Sequence, residues 1–190
     1  MDVLAESNNG VKESAFAVVI LRILLTPVFF FAFMWDLTAI AILLYLAAFA
    51  SDIVDGILAR RQGIIPSSPL EAYLDPVADF VLVFVSFYAF SLRQFYPPWI
   101  LLVFVLMFLF FIISSSKREP SYDPVGKYYG TFLMITIGVT LFFPTEIVFN
   151  GVLVLIIAYT VGLVIYRTAY LWNNRKEDEG IGASKEMEKI

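Results

Sequence analysis

Residues 37–63 of the chain read LTAIAILLYLAAFASDIVDGILARRQG. A helix that crosses a membrane needs roughly 20 apolar residues, and the apolar run in this stretch leads into two aspartates and then two arginines. An ionised carboxylate within such a run is energetically expensive, which makes Asp52 and Asp55 candidates for a functional role. The stretch therefore predicts an apolar helix that carries a polar site towards its end.

The composition of the whole chain extends this prediction. Of its 190 residues, 60% are hydrophobic and 16% are charged, and the mean hydropathy is +0.82. A soluble domain has a charged fraction of about 25%. Membrane β-strands alternate polar and apolar residues over ~10 positions, whereas the runs here are long and unbroken. The sequence therefore predicts an all-α, polytopic membrane protein.

The apolar runs and the residues that break them predict six transmembrane helices. Their ranges are 14–34, 37–59, 74–92, 97–115, 126–144 and 147–171. We expect one domain over residues 1–172, followed by a charged, disordered tail over residues 173–190. The first 13 residues contain more acid than base and no short apolar core, so no cleaved signal peptide is expected.

The basic residues predict the orientation. An even number of helices places both termini on one side, and most of the basic residues gather there: Lys12, Arg60, Arg61, Lys117, Arg118, Lys127, Arg167, Arg175, Lys176, Lys185 and Lys189. Arg93 lies on the opposite side, and Arg22 lies within the first helix. The positive-inside rule then predicts a multi-pass plasma-membrane protein with both termini in the cytoplasm. Arg22 either extends to the surface or pairs with an acid, and the sequence leaves both alternatives open.

The chain contains no cysteine and no histidine. This excludes disulfide scaffolds, thiol nucleophiles, imidazole bases and the usual zinc sites. Any catalysis must use Asp, Glu, Lys, Arg, Tyr or Ser. The acidic residues of the second and third helices have no counterpart in the fifth, which argues against a transporter built from repeats.

The second helix carries five residues at relative positions 0, 3, 4, 7 and 8, which share one helical face. They are Asp52, Asp55, Gly56, Ala59 and Arg60. Asp75 and Asp79, four residues apart, share a face at the start of the third helix. We expect Asp75 to be the N-cap of that helix, with Pro76 in its first turn. Four carboxylates then converge on the cytoplasmic side between helices 2 and 3.

Four carboxylates in one place repel one another, and two divalent cations would relieve that repulsion. An all-oxygen site favours Mg²⁺, Mn²⁺ or Ca²⁺ and suits phosphoryl chemistry at a two-metal centre. Gly56 and Ala59 would leave space for a ligand, and Arg60 would bind a phosphate. The structural alternative is an ion cluster at a helix end, with Asp75 serving only as a cap.

The pattern Asp52-x-x-Asp55-Gly56-x-x-Ala59-Arg60, followed by Asp75-x-x-x-Asp79, resembles the signature of the CDP-alcohol phosphotransferases. Members of that family are six-helix membrane enzymes, commonly homodimers. They move a phosphoalcohol from a CDP-linked donor to an acceptor alcohol and release CMP.

The resemblance implies a role for each residue of the pattern. Two divalent ions, Mg²⁺ or Mn²⁺, would be bound by the four carboxylates of Asp52, Asp55, Asp75 and Asp79. Asp79 would also be the base that takes the proton of the acceptor hydroxyl. The donor nucleotide would be bound by Asp55, Gly56, Ala59 and Arg60.

The segment between the two halves of the pattern departs from the family. The family has eight residues between the arginine and a second glycine, whereas ten residues separate Arg60 from Glu71, which occupies that glycine position. The departure concerns the donor pocket rather than the metal site. Because all four aspartates are present, an active enzyme is expected.

The acceptor is expected to bind to basic residues outside the signature, and a phosphorylated polyol such as glycerol phosphate or inositol phosphate would suit them. The candidates are Lys117, Arg118, Lys127 and Arg167. For any one of them, a role in membrane orientation alone is the alternative. The donor is expected to be a lipid, phosphatidyl or an ether counterpart, and no nucleic-acid partner is expected.

Two other functions remain open at this point. The same carboxylates could line the path of a divalent-cation transporter or channel. The chain could also be a catalytically silent member of the family that binds a CDP-linked lipid without turnover.

Overall fold

The computed structural model describes residues 19–62, 69–115 and 124–187, and within them the side chains of residues 19–51, 53, 76–113 and 128–169. These residues form six helices and no strand, which confirms the all-α class. The helices are α1 (Val19–Met34), α2 (Thr38–Gln62), α3 (Pro69–Leu92), α4 (Trp99–Ser115), α5 (Pro124–Phe142) and α6 (Glu146–Met187).

Helices α1 and α3 end in the same way. At the end of α1, the amide of Asp36 donates to the carbonyl of Phe33, and that of Leu37 donates to Ala32 at 2.9 Å. The same two bonds follow α3, and Asp36 and Gln94 have φ angles of 61° and 63°. This is the Schellman motif, in which one left-handed residue lets the chain turn while the last carbonyls stay bonded. Two non-glycine residues therefore make the sharp turns after α1 and α3.

Contacts between aromatic rings give the directions of the helices. Phe30 stacks on Tyr88 and Phe33 packs edge-on against Phe90, so residue numbers rise together along α1 and α3 and the two helices are parallel. Phe80 stacks on Phe108, and Phe87 packs against Phe104, which makes α3 and α4 antiparallel. Helix α5 packs against α2, α3 and α6.

Three short connections, residues 35–37, 93–98 and 143–145, meet at one end of the bundle, which we call the three-loop end. They surround a cavity of about 310 Å³ whose lining includes Asp36, Arg93, Phe95 and Pro144. The Arg93 guanidinium donates to the carbonyl of Met34 at 2.8 Å and pairs with Asp36 at 2.6 Å. Arg93 therefore joins the end of α3 to the end of α1.

Three buried tyrosines hold α5 to its neighbours: two bond from one helix to another, and Tyr96 bonds from the connection between α3 and α4. Tyr45 on α2 donates to the carbonyl of Met134 on α5 at 2.6 Å, and Tyr129 on α5 bonds to Thr160 on α6 at 2.8 Å. Tyr96 bonds to Thr140 at 2.7 Å. Such bonds between apolar helices select the faces that pack, because each buried hydroxyl requires a partner.

The outer surface of the bundle is apolar. Leu43 is 66% exposed, Leu102 is 60% exposed and Ile147 is 85% exposed, a pattern that water would disfavour. Among the residues whose side chains are described, the segment Glu146–Ala169 of α6 is long and apolar enough to cross a membrane by itself. The apolar segments of the other five helices within those residues are shorter.

Two expectations about helix ends were wrong. Helix α3 begins at Pro69, so Asp75 and Pro76 lie inside it and Asp75 is not its N-cap. Proline is favourable in the first turn of a helix, and Pro69 provides that start six residues earlier. Helix α6 continues to Met187, so most of the charged tail from residue 173 is helical rather than disordered. Its lysines, arginine and glutamates have high helix propensity.

Candidate active site

Helix α2 carries the first half of the signature. It runs without a break to Gln62, so Asp52, Asp55 and Arg60 keep the helical spacing that places them on one side. Gly56 and Ala59 lie on the same stripe of the backbone. The side chains of these five residues are outside the part of the chain that the structure describes. The predicted stripe is therefore supported by the backbone of α2.

Helix α3 carries the second half of the signature. Only residues 63–68 separate the end of α2 from the start of α3. Asp52 lies ten residues before the end of α2, and Asp79 lies ten residues after the start of α3. Asp55 and Asp75 lie seven and six residues from the same two ends. At 1.5 Å per residue, the pairs stand about 15 Å and about 10 Å along their helices. The two halves of the signature therefore lie at similar distances from the facing ends of consecutive helices.

Asp79 is the signature aspartate whose side chain the structure describes, and its carboxylate pairs with Arg22 on α1. The Arg22 side chain is fully buried, whereas that of Asp79 is 26% exposed. The two residues are 57 positions apart and meet because α1 and α3 lie side by side. Pairing with an acid was one of the two alternatives left open for Arg22, and the structure confirms it.

The α3 backbone at Asp79 is held by packing on both sides. Ala78 and Leu82 are buried at 0% and 1% exposure, and the Phe80 ring stacks on Phe108 with 4.1 Å between centroids. On α1, the Thr26 hydroxyl donates to the carbonyl of Arg22 at 2.8 Å. Asp79 therefore belongs to a well-packed part of the bundle, while its carboxylate stays partly accessible.

Among the basic candidates for acceptor binding, Arg167 is the one whose side chain is described. Its guanidinium lies over the rings of Phe110 and Phe111 on α4, at 5.3 and 5.4 Å from their centroids. These rings follow Phe108 by less than one turn, so Arg167 lies at the same end of the bundle as Asp79. The Lys127 backbone is part of α5, while Lys117 and Arg118 lie outside the described residues.

Glu71 is the third residue of α3, rather than part of a connecting loop. It precedes Asp75 and Asp79 by four and eight residues, so all three occupy one side of the helix backbone. Its side chain is outside the described part of the chain.

Sequence reasoning left the role of Arg22 undecided. The signal that singled it out was a guanidinium inside an apolar run, because a buried cation requires a counter-ion. The sequence does not show which acid that is, since four aspartates were available. The parallel packing of α1 on α3 selects Asp79.

Comparison with known proteins now decides the family. The sequence profile of the CDP-alcohol phosphatidyltransferase family matches residues 14–166, which include α1 to α5, most of the apolar part of α6 and all four aspartates. The chain belongs to this family.

Individual members with similar sequences carry one name. A CDP-diacylglycerol--glycerol-3-phosphate 3-phosphatidyltransferase of Yersinia pestis (strain Pestoides F) is 38% identical over 102 residues, which are 52% of this chain and 54% of that protein. Proteins of the same name from Blochmanniella floridana and Pseudomonas fluorescens are 28% identical over 113 residues and 41% identical over 73 residues. These matches cover 58% of both chains in the first case and 36% of both in the second. The chain thus spans about half the length of the curated relatives it matches.

Proposed function

We propose that the chain transfers the phosphatidyl group of CDP-diacylglycerol to the primary hydroxyl of glycerol 3-phosphate and releases CMP. The observation that carries the proposal is the family match over residues 14–166, within which the four aspartates lie on two consecutive helices, two on α2 and two on α3. The donor and acceptor follow the name shared by the similar proteins of Yersinia pestis and Pseudomonas fluorescens.

The reaction breaks the phosphoanhydride bond of the donor and forms a phosphodiester bond to the acceptor. The acceptor oxygen attacks the phosphorus that carries diacylglycerol, and the bond from that phosphorus to the CMP oxygen breaks. The proton of the acceptor hydroxyl passes to the Asp79 carboxylate, which acts as general base. Arg60 and the small residues Gly56 and Ala59 bind the cytidine diphosphate part of the donor.

The chemistry of the donor set fits two divalent cations. Asp52, Asp55, Asp75 and Asp79 offer only carboxylate oxygens, which Mg²⁺ and Mn²⁺ prefer. Bound there, the cations would neutralise the pyrophosphate and the charge that develops as CMP leaves. Both roles of Asp79, ligand and base, require its carboxylate to be held in a defined orientation.

We further propose that all six helices cross the membrane, with the site on the cytoplasmic side and Arg93 on the opposite side. The apolar outer surface supports this placement, because side chains such as Leu43 and Leu102 would face acyl chains. The chains of a lipid donor could then stay in the bilayer while its head group reaches the aspartates. A homodimer remains a prediction from the family.

The Arg22–Asp79 pair disfavours a cation channel. A permeation path for divalent cations through this carboxylate would pass a buried guanidinium, whose charge repels them. The membrane transferase is therefore the function that we propose.

Acceptor identity is tested with purified protein, CDP-diacylglycerol, Mg²⁺ and a panel of glycerol 3-phosphate, inositol 1-phosphate, glycerol, inositol and serine. We expect lipid product with the mass of phosphatidylglycerophosphate in the first reaction alone. Asp55→Asn should give no product, and Asp36→Asn is its matched control, because it removes the same charge at the three-loop end and should leave the product unchanged. Lipid product with a different acceptor would show that this acceptor, and not glycerol 3-phosphate, is the substrate. No lipid product with any acceptor of the panel would contradict the transferase function.

A further inference from the structure

We propose that Arg22 is a positioning residue for Asp79. Its guanidinium holds the carboxylate in the orientation from which Asp79 takes the proton of the acceptor hydroxyl. The inference rests on the proposed function and adds to it a residue that lies outside the signature, on a different helix and 30 residues before Asp52.

The packing of α1 against α3 fixes the position of the guanidinium. Arg22 meets Asp79, Phe30 meets Tyr88 and Phe33 meets Phe90, with a sequence offset of 57 or 58 in each case. The two parallel helices therefore keep one register over three turns. Sliding α1 along α3 would break the two ring contacts together with the ion pair. The Arg22 guanidinium is thus placed by a long apolar interface rather than by the pair alone.

The burial of the two partners is unequal in a way that suits positioning. Arg22 is fully buried and cannot turn to solvent, whereas Asp79 is partly exposed and can contact a substrate. The guanidinium is planar and rigid, so burial of Arg22 fixes the position of the nitrogen that bonds Oδ1 of Asp79. The immobile partner therefore determines the orientation of the accessible one.

Charge supports the same role. Four carboxylates repel one another, and Arg22 brings one positive charge to the site from the side of α1. This charge is attached to the protein and does not leave with a product. Asp79 consequently keeps a counter-ion throughout the reaction cycle.

The test is a double-mutant cycle of Arg22→Gln and Asp79→Asn, with kcat and both KM values measured by CMP release. We expect Arg22→Gln to lower kcat about 10²-fold, the loss expected for a catalytic group displaced by about 1 Å. Both KM values should stay within about threefold, since the loss lies in the chemical step. Arg22→Lys, which keeps the charge, should recover part of kcat. In the Asp79→Asn background, Arg22→Gln should cause no further loss.

Thr26→Val is the matched control, because Thr26 lies one turn further along α1, is buried and bonds the Arg22 carbonyl. It should keep the wild-type kcat. If Arg22→Gln does not fold, Arg22→Lys takes its place in the cycle.

Three results would overturn the inference: a wild-type kcat for folded Arg22→Gln, a loss that adds in full to that of Asp79→Asn, or an equal loss in Thr26→Val. Wild-type protein that releases no CMP would instead contradict the proposed function, and the positioning role with it.

Discussion

The buried guanidinium of Arg22 on α1 pairs with the carboxylate of Asp79, the last aspartate of the signature, on α3. The last aspartate of the signature therefore has a structural partner as well as a proposed catalytic role. A substitution at Asp79 changes both, and stability has to be measured alongside activity.

The first prediction concerns that stability. Asp79→Asn leaves the Arg22 cation buried without its carboxylate, and we expect the free energy of unfolding to fall by about 1–3 kcal/mol. Breaking a fully buried ion pair costs about 3–5 kcal/mol, and the loss is smaller here because Asp79 is partly exposed. Thermal unfolding in detergent micelles measures this. Adding Arg22→Gln should restore part of the loss, because it removes the stranded charge. A double variant less stable than Asp79→Asn would contradict this explanation.

The second prediction concerns the three-loop end. Arg93→Ala removes the donors of hydrogen bonds to the carbonyls of Phe33 and Met34. We expect the free energy of unfolding to fall by about 2 kcal/mol, since a hydrogen bond to a charged group contributes about 1.5–3 kcal/mol. Asp36→Asn removes only a pair whose acid is 78% exposed, so its unfolding temperature should hardly change. CMP release by Arg93→Ala below its melting temperature should be normal, because Asp79 lies about 20 Å along α3 from its end.

The third prediction concerns the contact between α2 and α5. A Cβ on Gly138 would lie 3.0 Å from Oη and 3.2 Å from Cε1 of Tyr45, so Gly138→Ala should destabilise the protein by about 1–3 kcal/mol. Gly162→Ala in α6 is the matched control, because nothing lies within 4 Å of its added Cβ. That variant should be neutral or slightly more stable. Equal unfolding temperatures for the two variants would show that α2 and α5 do not pack as described.

The fourth prediction concerns the acceptor. The two rings on α4 lie against the Arg167 guanidinium, and a stacked guanidinium can still donate from its edge to a phosphate. We expect Arg167→Gln to raise the KM for glycerol 3-phosphate about tenfold without changing the KM for CDP-diacylglycerol, a loss typical of one charged contact. Arg167 then has two roles, binding the acceptor phosphate and packing against the rings of α4. Phe110→Leu separates these roles, because it removes one ring contact and keeps the charge. An unchanged acceptor KM in Arg167→Gln would limit Arg167 to joining α6 and α4.

The fifth prediction concerns the metal. Chelation by EDTA should abolish CMP release, and Mg²⁺ or Mn²⁺ should restore it, because the proposed ligands are all carboxylates. Asp52→Asn should need a higher Mg²⁺ concentration for half-maximal rate, whereas Asp36→Asn should respond as wild type. Full activity in EDTA would exclude the two-metal proposal.

The number and the approximate extent of the helices follow from the sequence. Apolar runs separated by charged residues and prolines predict six helices, and the structure has six within its described residues. The start of α3 was misplaced because Asp75-Pro76 has the composition of a helix start. A helix that has already begun at Pro69 can continue through Pro76, at the loss of one backbone bond.

The arrangement of the helices does not follow from the sequence. When every face of a helix is apolar, hydrophobicity does not indicate which face packs inward. Small residues and polar pairs make that choice, as Gly138 does against Tyr45 and Arg22 does with Asp79. The spacing of the aspartates was readable because it lies within single helices, whereas the partner of Asp79 depends on how two helices pack.

The most direct measurement of the central claim is the rate of CMP release from CDP-diacylglycerol and Mg²⁺, with and without glycerol 3-phosphate. The wild-type protein should release CMP only when the acceptor is present, in a one-to-one ratio with phosphatidylglycerophosphate, and Asp55→Asn should release none while Asp36→Asn matches wild type. Release that does not depend on the acceptor, or that survives in Asp55→Asn, would contradict the account.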